Sequence, residues 1–246
     1  MTAHAAAATH ADWLRGLEDP APRGRLVCFP HAGGSAAFFH PWRRHLPEGL
    51  GLLAVQYPGR ADRIREPCAT DVAQLAVPIT RALDMLPDPL VLFGHSMGAT
   101  IAHEVARRIG RPVTLAVSGR PGPARARRTA WHRTDDATLW GRVRELGGLP
   151  TEIADLAELR DLMLPIVRAD YRLSERHSYL PTPPLPGRVV AMIGDRDPEV
   201  TAAEAREWES STTGGFDQRT YEGDHFYLVP RRDTVVRDLA ALVLAP

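Results

Sequence analysis

With 246 residues and 44% hydrophobic content, the chain holds enough apolar material for one sizeable α/β domain with a modest insertion. Thirty basic and thirty acidic residues cancel, which leaves no overall field to draw in nucleic acid or an anionic membrane. The two cysteines, Cys28 and Cys68, form no C-x-x-C and sit in no cluster of ligands, so neither argues for a disulfide, a zinc site or a thiol nucleophile.

Residues 1–24 read as a flexible leader. Met1 to Thr9 is alanine-rich but has no basic start and no long apolar run, so it does not resemble a signal peptide. No stretch approaches the ~18 apolar residues that span a bilayer, and a soluble, cytoplasmic protein is expected. The first strand is Arg25-Leu26-Val27-Cys28-Phe29, continuously apolar as a strand buried on both faces would be. It runs into Pro30-His31-Ala32-Gly33-Gly34. Such a glycine-rich loop at a strand's carboxyl end suits either an oxyanion-binding loop or a plain turn before a helix. His31 is read as shaping that loop.

A helix is predicted around Phe38 to Leu46, then a strand at Leu52–Gln56 that ends in Tyr57-Pro58-Gly59-Arg60. Asp71 to Leu86 has helical spacing, bent or restarted near Pro78. The run Pro89-Leu90-Val91-Leu92-Phe93 is short, apolar and β-prone, and Gly94-His95-Ser96-Met97-Gly98 follows it. Ile101, Val105 and Ile109 then repeat along one helical face. Gly-x-Ser-x-Gly between strand and helix is the nucleophile elbow: the turn is so tight that only glycine fits two residues either side of the serine. The strained backbone lifts the hydroxyl out, and the helix behind it points its positive end at any anion forming there. Given this elbow, the oxyanion reading of the earlier loop prevails, with the backbone N–H groups of Ala32 and Met97 as donors.

Val113 to Gly119 supplies another strand. From about Arg125 to Tyr179 no strand-like run occurs. Thr134 is expected to cap one helix there, and a second stretch from Thr151 is expected to break at Pro165. This helical insertion, 125–184, divides the core into 25–124 and 185–246, and could serve as a lid over a pocket as well as a packed subdomain. A basic cluster, Arg120 through Arg128, has no interleaved aromatics and reads as solvated surface. After the insertion, a strand at Arg188–Ile193 leads into Gly194-Asp195-Arg196-Asp197-Pro198. A helix spans Thr201 to Trp208, and the strand Gln218–Tyr221 ends at Glu222-Gly223-Asp224-His225-Phe226. A final helix runs from about Asp233 to Leu244. Strands alternating with helices predict a mostly parallel, doubly wound sheet.

A serine hydroxyl needs an imidazole to take its proton, and the imidazole needs a carboxylate to fix its tautomer. His225 is the histidine after the elbow that follows a strand. The acid has three candidates. Asp224 is the histidine's own neighbour, Asp195 lies nearer the strand end where it can cap the turn, and Asp197 is one step further out. On chemistry alone Asp197 ranks only modestly ahead of Asp195. The order Ser, Asp, His is that of the α/β-hydrolases.

Together these pieces resemble the stand-alone type II thioesterases that accompany modular polyketide synthases and nonribosomal peptide synthetases. The resemblance rests on Phe29–Gly34, Tyr57–Arg60, Gly94–Ala99, Leu146–Gly148, Arg168-Ala169-Asp170-Tyr171, Gly194–Pro198 and Gly223–Phe226. It implies an α/β-hydrolase fold and a triad of Ser96, Asp197 and His225, with Ala32 and Met97 as the oxyanion hole. It also implies release of stray short acyl groups from the phosphopantetheine thiol of an acyl or peptidyl carrier protein, with no metal or diffusible cofactor. The expected partner is that carrier protein, not nucleic acid or membrane, and a monomer is expected. The rival readings are a carboxylester hydrolase or acyltransferase on the same triad, and a degenerate hydrolase kept as a carrier-binding module.

Overall fold

The computed structural model of the chain describes residues 10–17, 21–123, 129–148, 151–179 and 183–245. The alanine-rich first nine residues, most of the Arg120–Arg128 cluster and part of the proline-rich connector before Gly187 lie outside them.

In chain order the elements are α1 (His10–Trp13), β1 (Leu14–Leu17), β2 (Arg25–Phe29), β3 (Gly51–Val55), α2 (Val72–Asp84), β4 (Leu90–His95), α3 (Met97–Ala106) and β5 (Thr114–Ser118). Then come α4 (Asp136–Leu146), α5 (Thr151–Ala154), α6 (Ala157–Arg176), β6 (Val189–Gly194), α7 (Ala202–Arg206), β7 (Phe216–Tyr221) and α8 (Arg232–Leu244). The seven strands form one sheet in the order β1-β3-β2-β4-β5-β6-β7. All neighbours are parallel except β1 and β3. This is the mostly parallel, helix-covered sheet of an α/β-hydrolase. Because β2, β4, β6 and β7 point the same way, the loops that follow them gather at one edge, where ligands bind in such sheets.

Alternate residues of each central strand feed two cores. Val27, Phe29, Leu53, Val55 and Leu92 pack under α2 and α3 with Ile79, Leu83, Ile101 and Val105. Leu26, Cys28, Val91 and Phe93 face the other way, onto Phe39, Trp42, Val236 and Leu239. Burying each such Val, Leu or Phe is worth roughly 1.5–3 kcal/mol. Both faces are covered, hence the unbroken apolar runs in the sequence. A third, smaller cluster of Leu139, Trp140, Ala154, Leu164 and Val167 holds α4, α5 and α6 together.

Several expectations are corrected. The leader carries the sheet's edge: Leu14–Leu17 pairs with Leu52–Val55, Trp13 is 6% exposed, and Arg15 pairs with Asp62. The Arg63 guanidinium lies 4.3 Å from the centre of the Trp13 ring. Ala36–His45 is a 3-10 helix around Pro41. Neither Pro78 nor Pro165 interrupts its helix. Each proline frees the carbonyl four residues earlier, at Gln74 and Asp161, and both of those residues are exposed. The cap of α4 is Asp135, not Thr134. The Asp135 side chain accepts from the Thr138 N–H, while the Thr134 hydroxyl donates to the Trp131 carbonyl.

His103 of α3 is 6% exposed and packs edge-on against Tyr179 and Trp208. Burial, opposed by Glu104 and reinforced by Arg107, lowers its imidazole to about 4. The unfolded chain, titrating near 6.5, therefore takes up this proton first as pH falls. The stability contributed is complete above about pH 6.5 and drains away toward the folded value. Between roughly pH 7 and pH 5 this one residue is expected to remove about 2 kcal/mol from the unfolding free energy. His103→Phe should lack that component in urea unfolding at the two pH values, and equal pH slopes for the two proteins would contradict the assignment.

Candidate active site

Ser96 stands between the end of β4 and the start of α3 at φ 54° and ψ −117°, a conformation that costs of order 1–3 kcal/mol and persists only where the surroundings enforce it. Two glycines do so here. A Cβ on Gly94 would overlap the Gly98 carbonyl, and one on Gly98 would overlap the Phe29 carbonyl at the end of β2. The second clash adds to the sequence argument: Gly98 is glycine because α3 presses on the neighbouring strand as well as on its own turn. Met97 opens the ten-residue α3, whose N–H groups and positive dipole end converge beside Ser96.

His225 lies in the loop after β7 and Asp197 in the loop after β6. The His225 Nδ1 donates to both oxygens of Asp197, at 3.0 and 2.9 Å. Their side chains are 1% and 0% exposed, so little water competes for the bond. Asp197 Oδ1 also accepts from the Glu199 N–H at 2.8 Å. The two other acid candidates are engaged elsewhere. Asp195 accepts from the Gly223 N–H at 2.8 Å, tying the two loops together, and Asp224 accepts from the Phe226 N–H at 2.8 Å. Of the three carboxylates, the one that meets the imidazole is Asp197.

Beneath His225 runs a polar chain that sequence reading did not single out. The His95 ring lies 4.8 Å from the His225 ring. Its Nδ1 is 3.0 Å from the Ser118 hydroxyl, which is 2.7 Å from the Tyr227 hydroxyl. Burial, then the charges of His225 and His31, hold His95 well below the usual imidazole range, so it stays neutral. Burial likewise raises the Tyr227 phenol, which stays protonated. Gly119, at φ +60°, lets His225 and His95 approach, because a Cβ there would lie 2.9 Å from the Cε1 atoms of both rings. Gly119→Ala is expected to push His225 off Asp197 and cut kcat by about 10- to 100-fold with a smaller change in KM. Wild-type kcat in a folded variant would contradict this.

Ser96, His225 and Ala32 line one cavity of about 50 Å³ with His31, Val143, Leu146, Gly148, Met163, Val167, Tyr171 and Phe226. Its far wall is thus α4, α6 and the turn after α4. Among the described residues that line it there is no arginine. Tyr171 is neutral, its hydroxyl raised to about 12 by burial. His31 packs edge-on against Phe38 and Phe226, each 4.8 Å away. Desolvation, then the charges of His225 and Arg60, lowers it to about 3, which suits a loop-shaping ring more than a second base. Among the described residues no cluster of side chains could hold a metal ion, and no helix is long and apolar enough to cross a membrane.

The thioesterase domain model matches residues 24–243. The chain belongs to the thioesterase family. It is 40% identical over 238 residues to the "Probable cadicidin biosynthesis thioesterase" of Streptomyces griseus, covering 94% of this chain and 66% of that relative's length. It is also 40% identical to thioesterase PikA5 of Streptomyces venezuelae, covering 93% of this chain and 84% of that one. Among solved structures, the type II thioesterase BorB from the borrelidin biosynthetic cluster superposes with a TM-score of 0.86 at 41% identity, covering 94% of this chain and 97% of BorB.

Proposed function

We propose that this thioesterase hydrolyses short, uncharged acyl groups from the phosphopantetheine thiol of a carrier protein serving polyketide or nonribosomal peptide synthesis. The observation that carries the reading is the strained Ser96 sharing one small apolar cavity with His225, whose Nδ1 is held by the buried Asp197. Similarity to PikA5 and to BorB supports the choice of a thioester over an oxygen ester.

In this mechanism Asp197 holds His225 with its proton on Nδ1, which leaves Nε2 as base. Ser96 Oγ attacks the thioester carbonyl as Nε2 takes the hydroxyl proton. The N–H groups of Ala32 and Met97 receive the developing oxyanion. The tetrahedral adduct collapses with C–S cleavage, and the imidazolium returns its proton to the pantetheine thiolate. A water deprotonated by His225 then attacks the acyl-serine, releasing the free acid and restoring Ser96. A thiolate leaves readily, so the triad needs no metal or further cofactor.

Cavity size and lining argue for the acyl class. A volume of about 50 Å³, set against the ~150 Å³ of an apolar cavity that binds benzene, suits a chain of a few carbons. Among the described residues that line the cavity there is no arginine or lysine to pair with a carboxylated acyl group. The pantetheine arm enters when α4 and α6 shift as a lid.

The reading is tested by initial rates on acyl-pantetheine thioesters and the matching oxygen esters. Higher kcat/KM on the thioesters is expected, and faster ester turnover would replace this reading with a carboxylester hydrolase.

A further inference from the structure

Two motifs that single this family out, Tyr57-Pro58-Gly59-Arg60 and Arg168-Ala169-Asp170-Tyr171, have so far no part in the chemistry. The fold brings them together. Arg60 Nη1 and Nη2 donate to Asp170 Oδ2 and Oδ1 at 2.5 and 2.8 Å, and the two side chains are only 5% and 4% exposed. Asp170 Oδ2 accepts a third bond, 2.8 Å long, from the Gly33 N–H. Burial alone would lower the Arg60 guanidinium, but Asp170 overcomes this and raises it, so the guanidinium stays charged. Neither side chain lines the cavity around Ser96.

The same neighbourhood pins the oxyanion loop at two more points. The Tyr57 hydroxyl donates to the Pro30 carbonyl at 3.3 Å. Gln56 Oε1 accepts from the Ala36 N–H at 3.1 Å, while its Nε2 donates to the Arg60 carbonyl at 3.2 Å. Ala32 thus lies between anchors at Pro30 and Gly33. Gly33 takes φ +76°, and a Cβ there would come within 2.8 Å of Val167 Cγ2 on α6. A buried ion pair is a poor source of stability compared with apolar packing. What this one supplies is geometry: a charged acceptor, held by a planar fork, aimed at the backbone beside the donor that the reaction needs.

We propose that Arg60 and Asp170 are positioning residues that set the Ala32 N–H for oxyanion binding, by holding the Gly33 N–H from the helix α6 that also walls the acyl cavity. The inference rests on the serine-hydrolase reading of the site and gives these two motifs their role within it.

The test uses the full chain with two variants, Asp170→Asn and the double replacement Arg60→Met with Asp170→Leu. The second removes both charges together, leaves none buried alone, and deprives the Gly33 N–H of its acceptor. Folding is checked by circular dichroism and thermal unfolding. Three quantities are then compared with wild type: kcat and KM on an acyl-pantetheine, affinity for a trifluoromethyl ketone that adds to Ser96 as a tetrahedral oxyanion, and affinity for an unreactive acyl-pantetheine thioether. In the double variant kcat is expected to fall about 100-fold, and about tenfold in Asp170→Asn. Ketone affinity should fall in step, while KM and thioether affinity change little. Unchanged kcat and ketone affinity would overturn the proposal. So would equal losses for ketone and thioether, or failure of both variants to fold, each of which marks the pair as merely structural. The ketone reports on the oxyanion loop whichever ester the enzyme prefers. A wild type inactive on thioesters but inhibited by the ketone would therefore count against the substrate reading alone.

Discussion

Asp197→Asn is expected to lower kcat on acyl-pantetheine thioesters by about 10⁴-fold in a protein that still folds. Asparagine is close to isosteric with aspartate and can occupy the same buried space. Its amide nitrogen, however, would face His225 Nδ1 at the 2.9–3.0 Å now spanned by the carboxylate. The imidazole would then favour the tautomer that accepts at Nδ1 and carries its proton on Nε2, where it cannot take the serine proton. The charge that steadies the imidazolium is also gone. Asp195→Asn and Asp224→Asn, which alter loop contacts to Gly223 and Phe226, should each cost far less. Steady-state kinetics of the three variants decides the matter: a loss below tenfold for Asp197→Asn, or a larger loss for either neighbour, would contradict the assignment.

Gly98→Ala is expected to damage fold and catalysis together. The new Cβ would overlap the Phe29 carbonyl and crowd that of Pro30. Both are backbone atoms, one inside a fully buried central strand, and cannot swing away as a side-chain end could. Relief requires α3 to lift from β2, at a cost of roughly 3 kcal/mol. The same shift moves Met97, Ser96 and the start of the Pro30–Gly34 loop, where a displacement near 1 Å costs about 100-fold in rate. By contrast Gly110→Ala, at a position where a Cβ meets nothing within 4 Å, should leave both properties near wild type. Thermal unfolding and kcat for the pair check the contrast; a stable, active Gly98→Ala would show that the elbow tolerates more than its geometry allows.

The parts of this molecule that its sequence discloses are those where a local rule and the tertiary fold agree. The strands β2, β4, β5 and β6 are buried on both faces, so their residues read as continuous apolar runs. The elbow is legible because Gly94, Ser96 and Gly98 answer one steric problem within five residues. Edges are harder. Leu14–Leu17 is too short to show a period, and its place is set by pairing with β3 and by the seat of Trp13, neither of which leaves a local mark. Pro165 looks like a helix breaker, yet it costs a bond only at the exposed Asp161, and packing of Leu164 and Val167 carries α6 through. Within the site, chemistry alone barely separated Asp197 from Asp195, because the choice depends on where a loop bends. Most hidden was the Arg60–Asp170 pair. Nothing in either motif says which of thirty arginines meets a carboxylate 110 residues away, until helix α6 is laid across the loops that follow β2 and β3. Glycines with a special task left a better trace: Gly119 ends a strand in the sequence and makes room for His225 in the fold.

The most direct test of the account follows a short acyl group loaded on the phosphopantetheine of a carrier protein, with intact-mass detection of both proteins over time. The account predicts that the wild-type chain returns the carrier to its free thiol and releases the acid, with a transient acyl adduct on Ser96. It also predicts that Ser96→Ala lowers the rate by about 10⁶-fold, to the background of spontaneous hydrolysis. Release by the wild type no faster than by Ser96→Ala would contradict it.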